Sequence, residues 1–232
     1  MRIDWSPLRR AVKPETQLWW RDDDAVAATP ALDRLLALSG EVRVPVVLAV
    51  IPALVTPGLV QRLGPNDRVM VHGWQHADTS APGAKKSEFQ RLRPDAADET
   101  AKALAHMRAI FGSRLSPVFV PPWNRIDDHI AKGLGAQGYE ALSTFGPRAR
   151  QADVGLPRIN THVDPIDWRG TRGLVDPDLL IERAARQLTE HPDEPLGLLT
   201  HHLVHTPEIW AFSRAFLSEM QAAGARLMPM QE

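Results

Sequence analysis

Short apolar runs alternate along this chain with segments of helical periodicity. Gln17-Leu18-Trp19-Trp20-Arg21 is the first apolar run and reads as a strand, closed by three carboxylates, Asp22-Asp23-Asp24. Thr29-Pro30 has the form of an N-cap with proline in the first turn, opening a helix that Gly40 should stop. The stretch from Val44 to Ile51 is almost continuously apolar, the pattern of a strand covered on both faces. Val69 to Val71, Val118 to Val120 and Leu196 to Thr200 are further strands of this kind. Helical spacing runs from Asp95 to Phe111, where Gly112 ends it, then from Asp127 to Gln137, Asp176 to His191 and Pro207 to Ala223. Ala141 to Ser143, Arg158 to Asn160 and Arg226 to Met228 are short enough to be minor strands.

Repeated βα units imply an α/β fold with a parallel sheet, either a barrel or a doubly wound layer. The polar candidates favour the barrel, because each follows a strand directly. The Asp triplet follows the first strand, His72 the third, and Pro121-Pro122-Trp123 the fourth. Asn160 and His162 follow a later strand, and His201 follows the Leu198-Leu199 run. In a (β/α) barrel those strand ends converge on one face, whereas an open sheet gathers only the strands beside its switch point.

Composition narrows the function classes. The 232 residues suit one domain, and a hydrophobic fraction of 44% supports a core without disulfides. Cysteine is absent, which removes thiolate metal sites. Net charge is −1, with no basic stripe for a nucleic acid. The N-terminus lacks the apolar stretch of a signal peptide, and no run approaches a membrane span. The expectation is a soluble cytoplasmic protein of a single domain, residues 1–232, with no nucleic-acid or membrane partner. Oligomeric state is left open.

The candidate chemistry is metal chemistry. Carboxylates at the end of a buried strand repel one another and need a partner, and a cation is the most economical one. His72-Gly73-Trp74-Gln75-His76 places two imidazoles four residues apart, in what Gly73 makes a tight turn rather than a long helix. Two imidazoles and a carboxylate are the ligand set of a catalytic zinc that keeps one position for water. Each motif also has a plain structural reading. The Asp triplet can be a solvated cap, the histidine pair a chance spacing, and His201-His202 a satisfied core pair. Pro121-Pro122-Trp123 can be a rigid loop, and Asp164 to Trp168 a turn. Strand alternation lets at most one of His201 and His202 face a pocket, and it turns Asp22 away from the site. Seven Trp against one Tyr is a skewed aromatic set; Trp74, Trp123 and Trp168 lie inside candidate motifs, where indoles could stack on sugar faces. Gly83 to Phe89 reads as a solvated loop or a mobile lid.

Taken in order, the motifs resemble the polysaccharide deacetylase family, carbohydrate esterase family 4, over about Leu18 to His202. The family's Thr-Phe-Asp-Asp-Gly block is matched by Arg21-Asp22-Asp23-Asp24-Ala25, and its His-Ser/Thr-x-x-His block by His72 to His76. Val120-Pro121-Pro122-Trp123 resembles the Arg-x-Pro-Tyr-like block, Asp164 to Trp168 the acidic-aromatic block, and Leu198-Leu199-Thr200-His201 the Leu-x-x-His block. The resemblance implies an irregular (β/α) barrel of seven or eight strands. It implies a divalent metal, Zn2+ foremost, on Asp24, His72 and His76, with Asp23 as general base and His201 as general acid. It implies an oxyanion contact from the Trp123 N–H, and Asp164 or Asp167 behind the catalytic histidine. Pro122, Arg125, Asn160, His162, Trp168, Asp22 and His202 complete the candidate substrate-binding or supporting set. Two departures from the pattern stand out. Ala25 replaces the glycine, and Asp22 offers a competing register in which Asp22 is the base and Asp23 the ligand. The family arginine is missing, with Arg125, Arg21 or Arg158 as replacements. The implied activity is removal of acetyl from an N-acetylated saccharide. Hydrolysis of a small non-sugar amide or ureide, or a non-catalytic saccharide- or metal-binding domain, are the alternatives.

Overall fold

The computed structural model describes residues 3–148 and 155–229. Seven strands and seven α-helices alternate through the described residues. The strands are β1 (Gln17–Ala25), β2 (Val46–Val50), β3 (Arg68–His72), β4 (Leu115–Val120), β5 (Ala141–Leu142), β6 (Leu196–Thr200) and β7 (Arg226–Leu227). The helices are α1 (Ser6–Ala11), α2 (Pro30–Val42), α3 (Pro57–Arg62), α4 (Ala96–Phe111), α5 (Asp128–Gln137), α6 (Pro177–Glu190) and α7 (Pro207–Ala222). Strand order in the sheet is β5-β4-β3-β2-β1-β6, with β7 paired to β1. Every pairing whose register is defined is parallel, as the βα alternation implies.

Helix starts follow their capping chemistry. Thr29, Thr56, Asp176 and Thr206 each precede a proline at the first helical position, where the missing N–H costs nothing. Thr29 Oγ1 accepts from Leu32 N at 3.0 Å, and Asp176 Oδ1 from Asp178 N at 2.9 Å. The stop expected at Gly40 is passed. α2 continues to Val42, the last member of its buried stripe Leu32, Leu35, Leu38 and Val42, and closes on Arg43 in the left-handed region at φ 54°. α1 and α3 are six-residue helices too short for a periodicity to announce.

The chain packs as two compact units. The first comprises the described residues up to Asp22, then Thr29–Val46 and Thr161–Pro229. In it β1 pairs with β6 from Leu18↔Leu196 to Asp22↔Thr200, and Ile209, Phe212, Phe216 and Met220 of α7 are fully or nearly fully buried. The second comprises Asp23–Ala28 and Val47–Asn160. It carries β3 against β2 and β4, over a core in which Phe119 meets Phe89 and Tyr139 edge-on, each at 5.3 Å. The strand expected at Arg158 to Asn160 is reduced to single bridges, Arg158 with Leu142 and, three residues beyond that stretch, Val163 with Leu198. β1 does not end at Arg21; it runs through the Asp triplet to Ala25 because Asp22 still has a ladder partner in Thr200. Among the described residues, no helix is long and apolar enough to cross a membrane.

Candidate metal centre

Two strand ends and one turn of the second unit build the centre. Asp24 is the penultimate residue of β1 and adopts φ 69°, outside the strand region. His72 is the last residue of β3 and is buried. Gly73 (φ 61°) turns the chain back, and His76 (φ 57°) closes the turn. Asp24 Oδ1 then lies 3.1 Å from His72 Nε2 and 3.3 Å from His76 Nε2, and one ligand atom from each of the three residues falls within 4.8 Å of the others.

These contacts suit a shared cation as well as an ion pair. His72 Nδ1 is 3.0 Å from the Val120 carbonyl oxygen, which can only accept, so Nδ1 carries the proton. In the neutral ring Nε2 is then a bare lone pair facing a carboxylate lone pair. A proton or a metal must sit between them. Tetrahedral zinc with Zn–N and Zn–O bonds of about 2.0–2.1 Å separates its ligand atoms by roughly 3.3 Å, the spacing observed here. The Val120 carbonyl also fixes the ring's tautomer and orientation, as outer partners of metal-binding histidines do. Burial holds the His76 imidazole below the usual histidine range, and neighbouring His72 adds to this, while Asp24 opposes it. A neutral ring is the form that donates a lone pair.

The turn that carries His76 is held by a residue the motifs did not single out. The Glu88 carboxylate accepts from the backbone N–H of Trp74 at 3.2 Å, Gln75 at 2.9 Å and His76 at 3.2 Å. Burial raises the Glu88 pKa, and the backbone N–H groups of Gln75, Trp74 and Ala77 oppose the rise. A Cβ at Gly73 would lie 2.2 Å from Glu88 Oε2 and 2.6 Å from the Pro122 ring, so only glycine fits there. Pro122 and Trp123 sit in the turn after β4, where Trp123 (φ 56°) lays its indole 4.3 Å from the His76 ring. Trp74 points elsewhere: Lys102 lies over its ring at 4.3 Å and His106 meets its edge at 6.1 Å.

Gly83 to Phe89 is not a mobile lid along its whole length. Residues 83–86 are exposed, but Ser87, Glu88 and Phe89 are buried. Arg125 Nη1 donates to the Lys86 carbonyl at 2.6 Å, and Asp127 N to the Phe89 carbonyl at 2.9 Å, so the segment is stitched to the β4–α5 connection. Arg125 is therefore engaged in holding this loop.

Asp23 is almost fully buried, and its charge acts on His76. Asp22 is fully buried in the first unit. One oxygen accepts from Thr200 Oγ1 at 2.6 Å and from His202 N at 3.0 Å, the other pairs with His202 Nδ1. Thr200 Oγ1 in turn accepts from Trp20 Nε1 at 2.8 Å. Asp22 is thus a buried acceptor and His202 its partner. Of the Asp triplet, Asp24 is the member that groups with His72 and His76 as residues that could share an ion, among the described residues.

His201 follows β6. Its N–H donates to His205 Nε2 at 3.3 Å, and its ring meets the edge of Trp168 at 4.7 Å. Burial pushes the His205 imidazole down to about 4, which keeps Nε2 free to accept. His201 Nδ1 has no hydrogen-bond partner among the described residues. Asp164 accepts from Trp168 Nε1 at 2.7 Å, and Asp167 from Gly170 N at 3.0 Å and Thr171 N at 2.9 Å. Both carboxylates build the local turn, which places Trp168. His162 also has a structural placement, with Nε2 3.3 Å from Glu194 Oε2 and Nδ1 accepting from Gly197 N at 3.2 Å. Asn160 Oδ1 accepts from Thr144 N and Thr144 Oγ1, both at 2.9 Å, and its amide donates to the Gly146 carbonyl at 2.8 Å.

No family profile matches the chain. No curated protein sequence matches it either. Solved structures do. The peptidoglycan N-acetylglucosamine deacetylase Bc1960 aligns at TM-score 0.60 and 15% identity, over 92% of this chain and 86% of that one. The polysaccharide deacetylase Bc1974 from Bacillus cereus aligns at TM-score 0.59 and 16% identity, over 94% and 93%. This chain has the polysaccharide deacetylase fold. BA3943 from Bacillus anthracis, described as a CE4 family pseudoenzyme, aligns at TM-score 0.61 and 18% identity, over 92% of this chain and 63% of that one. The fold therefore occurs both in proteins described as deacetylases and in one described as a pseudoenzyme.

Proposed function

We propose that this chain is a metal-dependent hydrolase that removes the acetyl group from an N-acetylated saccharide. The observation that carries the reading is the cluster of Asp24, His72 and His76, whose spacing and lone-pair geometry suit a divalent ion such as Zn2+, in a chain with the deacetylase fold. A divalent ion held there supplies Lewis acidity, lowering the pKa of bound water toward about 7 and polarising an amide carbonyl. Asp23, buried beside the ligands, takes the proton of the attacking water. The Trp123 N–H donates to the developing oxyanion. His201 returns a proton to the leaving nitrogen; this role rests on the Leu-x-x-His block. Two acid–base groups of opposite required state give a bell-shaped rate profile, and a flat one between pH 5 and 9 counts against them.

The test is acetate release from N-acetylglucosamine oligomers, with zinc measured by elemental analysis. His72→Ala and Asp24→Ala should lose the ion together with activity, and Asp23→Asn should keep the ion and lose turnover. Wild-type metal content in the first two, or surviving activity in the third, sinks the assignment. A second reading, a saccharide- or metal-binding domain without catalysis, is favoured by the missing family arginine and by the likeness to a relative described as a pseudoenzyme. Stoichiometric zinc with no acetate release from sugars, small amides or ureides would establish it. Release from a non-sugar amide alone would move the substrate class.

A further inference from the structure

We infer that Glu88 is the positioning residue of the metal centre: its carboxylate fixes the turn that aims His76 and thereby sets the affinity for a divalent ion. The inference rests on the metal-binding reading above and extends it to a residue outside the ligand set.

Three consecutive N–H groups, those of Trp74, Gln75 and His76, converge on one buried carboxylate. Oε2 accepts two of them and Oε1 the third, so both oxygens are needed. The turn they define contains two left-handed residues, Gly73 and His76. A non-glycine residue held there carries strain of about 1–3 kcal/mol and persists only where its surroundings over-determine it. Glu88 is what over-determines His76.

Glu88 is itself anchored on both sides. Thr79 N donates to the Ser87 carbonyl at 2.8 Å and Thr79 Oγ1 to the Glu88 carbonyl at 2.8 Å. Phe89 is fully buried and bridges to Ile126. The position of the His76 ring is thus referred, through Glu88, to the core and to the β4–α5 connection. The same contact explains a departure from the family's second block. Where that block has serine or threonine, Gly73 stands, because any Cβ would collide with Glu88 Oε2. Glycine at 73 and glutamate at 88 are one device. A turn with no task beyond folding would gain little from a buried carboxylate, since burying a charge costs several kcal/mol unless every lone pair is matched.

Glu88→Gln tests this. The amide keeps the shape but sets an NH2 against one of the three N–H groups, leaving that donor unmatched. Competition against a chromophoric chelator gives the Zn2+ dissociation constant, and the visible spectrum of the Co2+ form reports ligand geometry. Loss of an outer partner of a metal ligand weakens affinity by roughly 10- to 100-fold, which is the shift expected, with a changed Co2+ spectrum. A lower apo melting temperature with an unchanged dissociation constant would make Glu88 merely structural and overturn the inference. Should the Gln variant fail to fold, Glu88→Asp keeps the charge but withdraws it by one methylene. Its affinity should fall between wild type and a ligand deletion, and wild-type affinity there would overturn the inference equally. A wild-type protein that binds no Zn2+ would strike the metal-binding reading itself, which separates the two failures.

Discussion

Replacing Asp22 with asparagine should destabilise the protein by about 3–5 kcal/mol, a range set by the hydrogen bonds its buried carboxylate makes. The structure gives the same figure from its parts. Asp22 is fully buried and answers three donors: the Thr200 hydroxyl, the His202 N–H and His202 Nδ1. Asparagine offers one oxygen where the carboxylate offers two, and its NH2 faces a donor. Losing one charge-assisted bond costs about 1.5–3 kcal/mol, and orphaning its buried donor about 1–3 more. Against a total stability of about 5–15 kcal/mol, the loss is easily measured. Urea unfolding followed by tryptophan fluorescence reads it, because Trp20 belongs to the same network through Thr200. A double-mutant cycle with His202→Leu separates the pair from its surroundings, and a coupling energy of about 1 kcal/mol or more is expected for groups in one hydrogen-bond network. A destabilisation below about 1 kcal/mol, or strict additivity with His202→Leu, would refute the account of Asp22 as a buried structural anion.

Gly73→Ala forces a Cβ to 2.2 Å from Glu88 Oε2 at φ 61°, and should cost about 2–4 kcal/mol in thermal or chemical unfolding, from left-handed strain plus overpacking; a change under 0.5 kcal/mol would contradict the packing. His205 gives a pH dependence with a definite sign. Its folded pKa, about 4, lies below the unfolded value of 6.5, so the unfolded chain takes the proton first. Its stabilisation is complete above about pH 6.5 and falls by up to about 3 kcal/mol as pH drops through 4, and His205→Gln should flatten that slope in urea titrations. Tyr139, the single tyrosine, donates to the Thr100 carbonyl at 2.8 Å, and burial raises its pKa. Alkaline difference absorbance should show no tyrosinate near pH 10 while the fold persists; ionisation there in the folded protein would contradict the burial.

The sheet was legible in the sequence because parallel strands are apolar on both faces, so Val44 to Ile51 and Leu196 to Thr200 announce themselves without any partner in view. The histidine spacing was legible for a related reason: three residues of turn link His72 to His76, and the distance between them is local. Glu88 left no such mark. It reaches the turn from twelve residues beyond His76, and one glutamate in an irregular segment carries no periodicity. The same holds for the Thr200–Asp22 contact, which spans 178 residues.

The Asp triplet shows where strand logic gives way. Strict alternation sets Asp22 and Asp24 on one face of β1 and Asp23 on the other, so alternation is not what turns Asp22 away from the site. Asp22 obeys the ladder, paired across to Thr200. Asp24 leaves it, because φ 69° takes its backbone out of the extended region. Aspartate tolerates that conformation better than most residues, and the conformation still has a cost. His76 adopts the same left-handed geometry at φ 57°. Two of the three residues that can share an ion are thus the ones held in strained backbone, and they converge on a third, His72, that is not. Left-handed strain on two of the three positions that can share an ion, one of them held by Glu88, suits a cation site better than a solvated acidic cap.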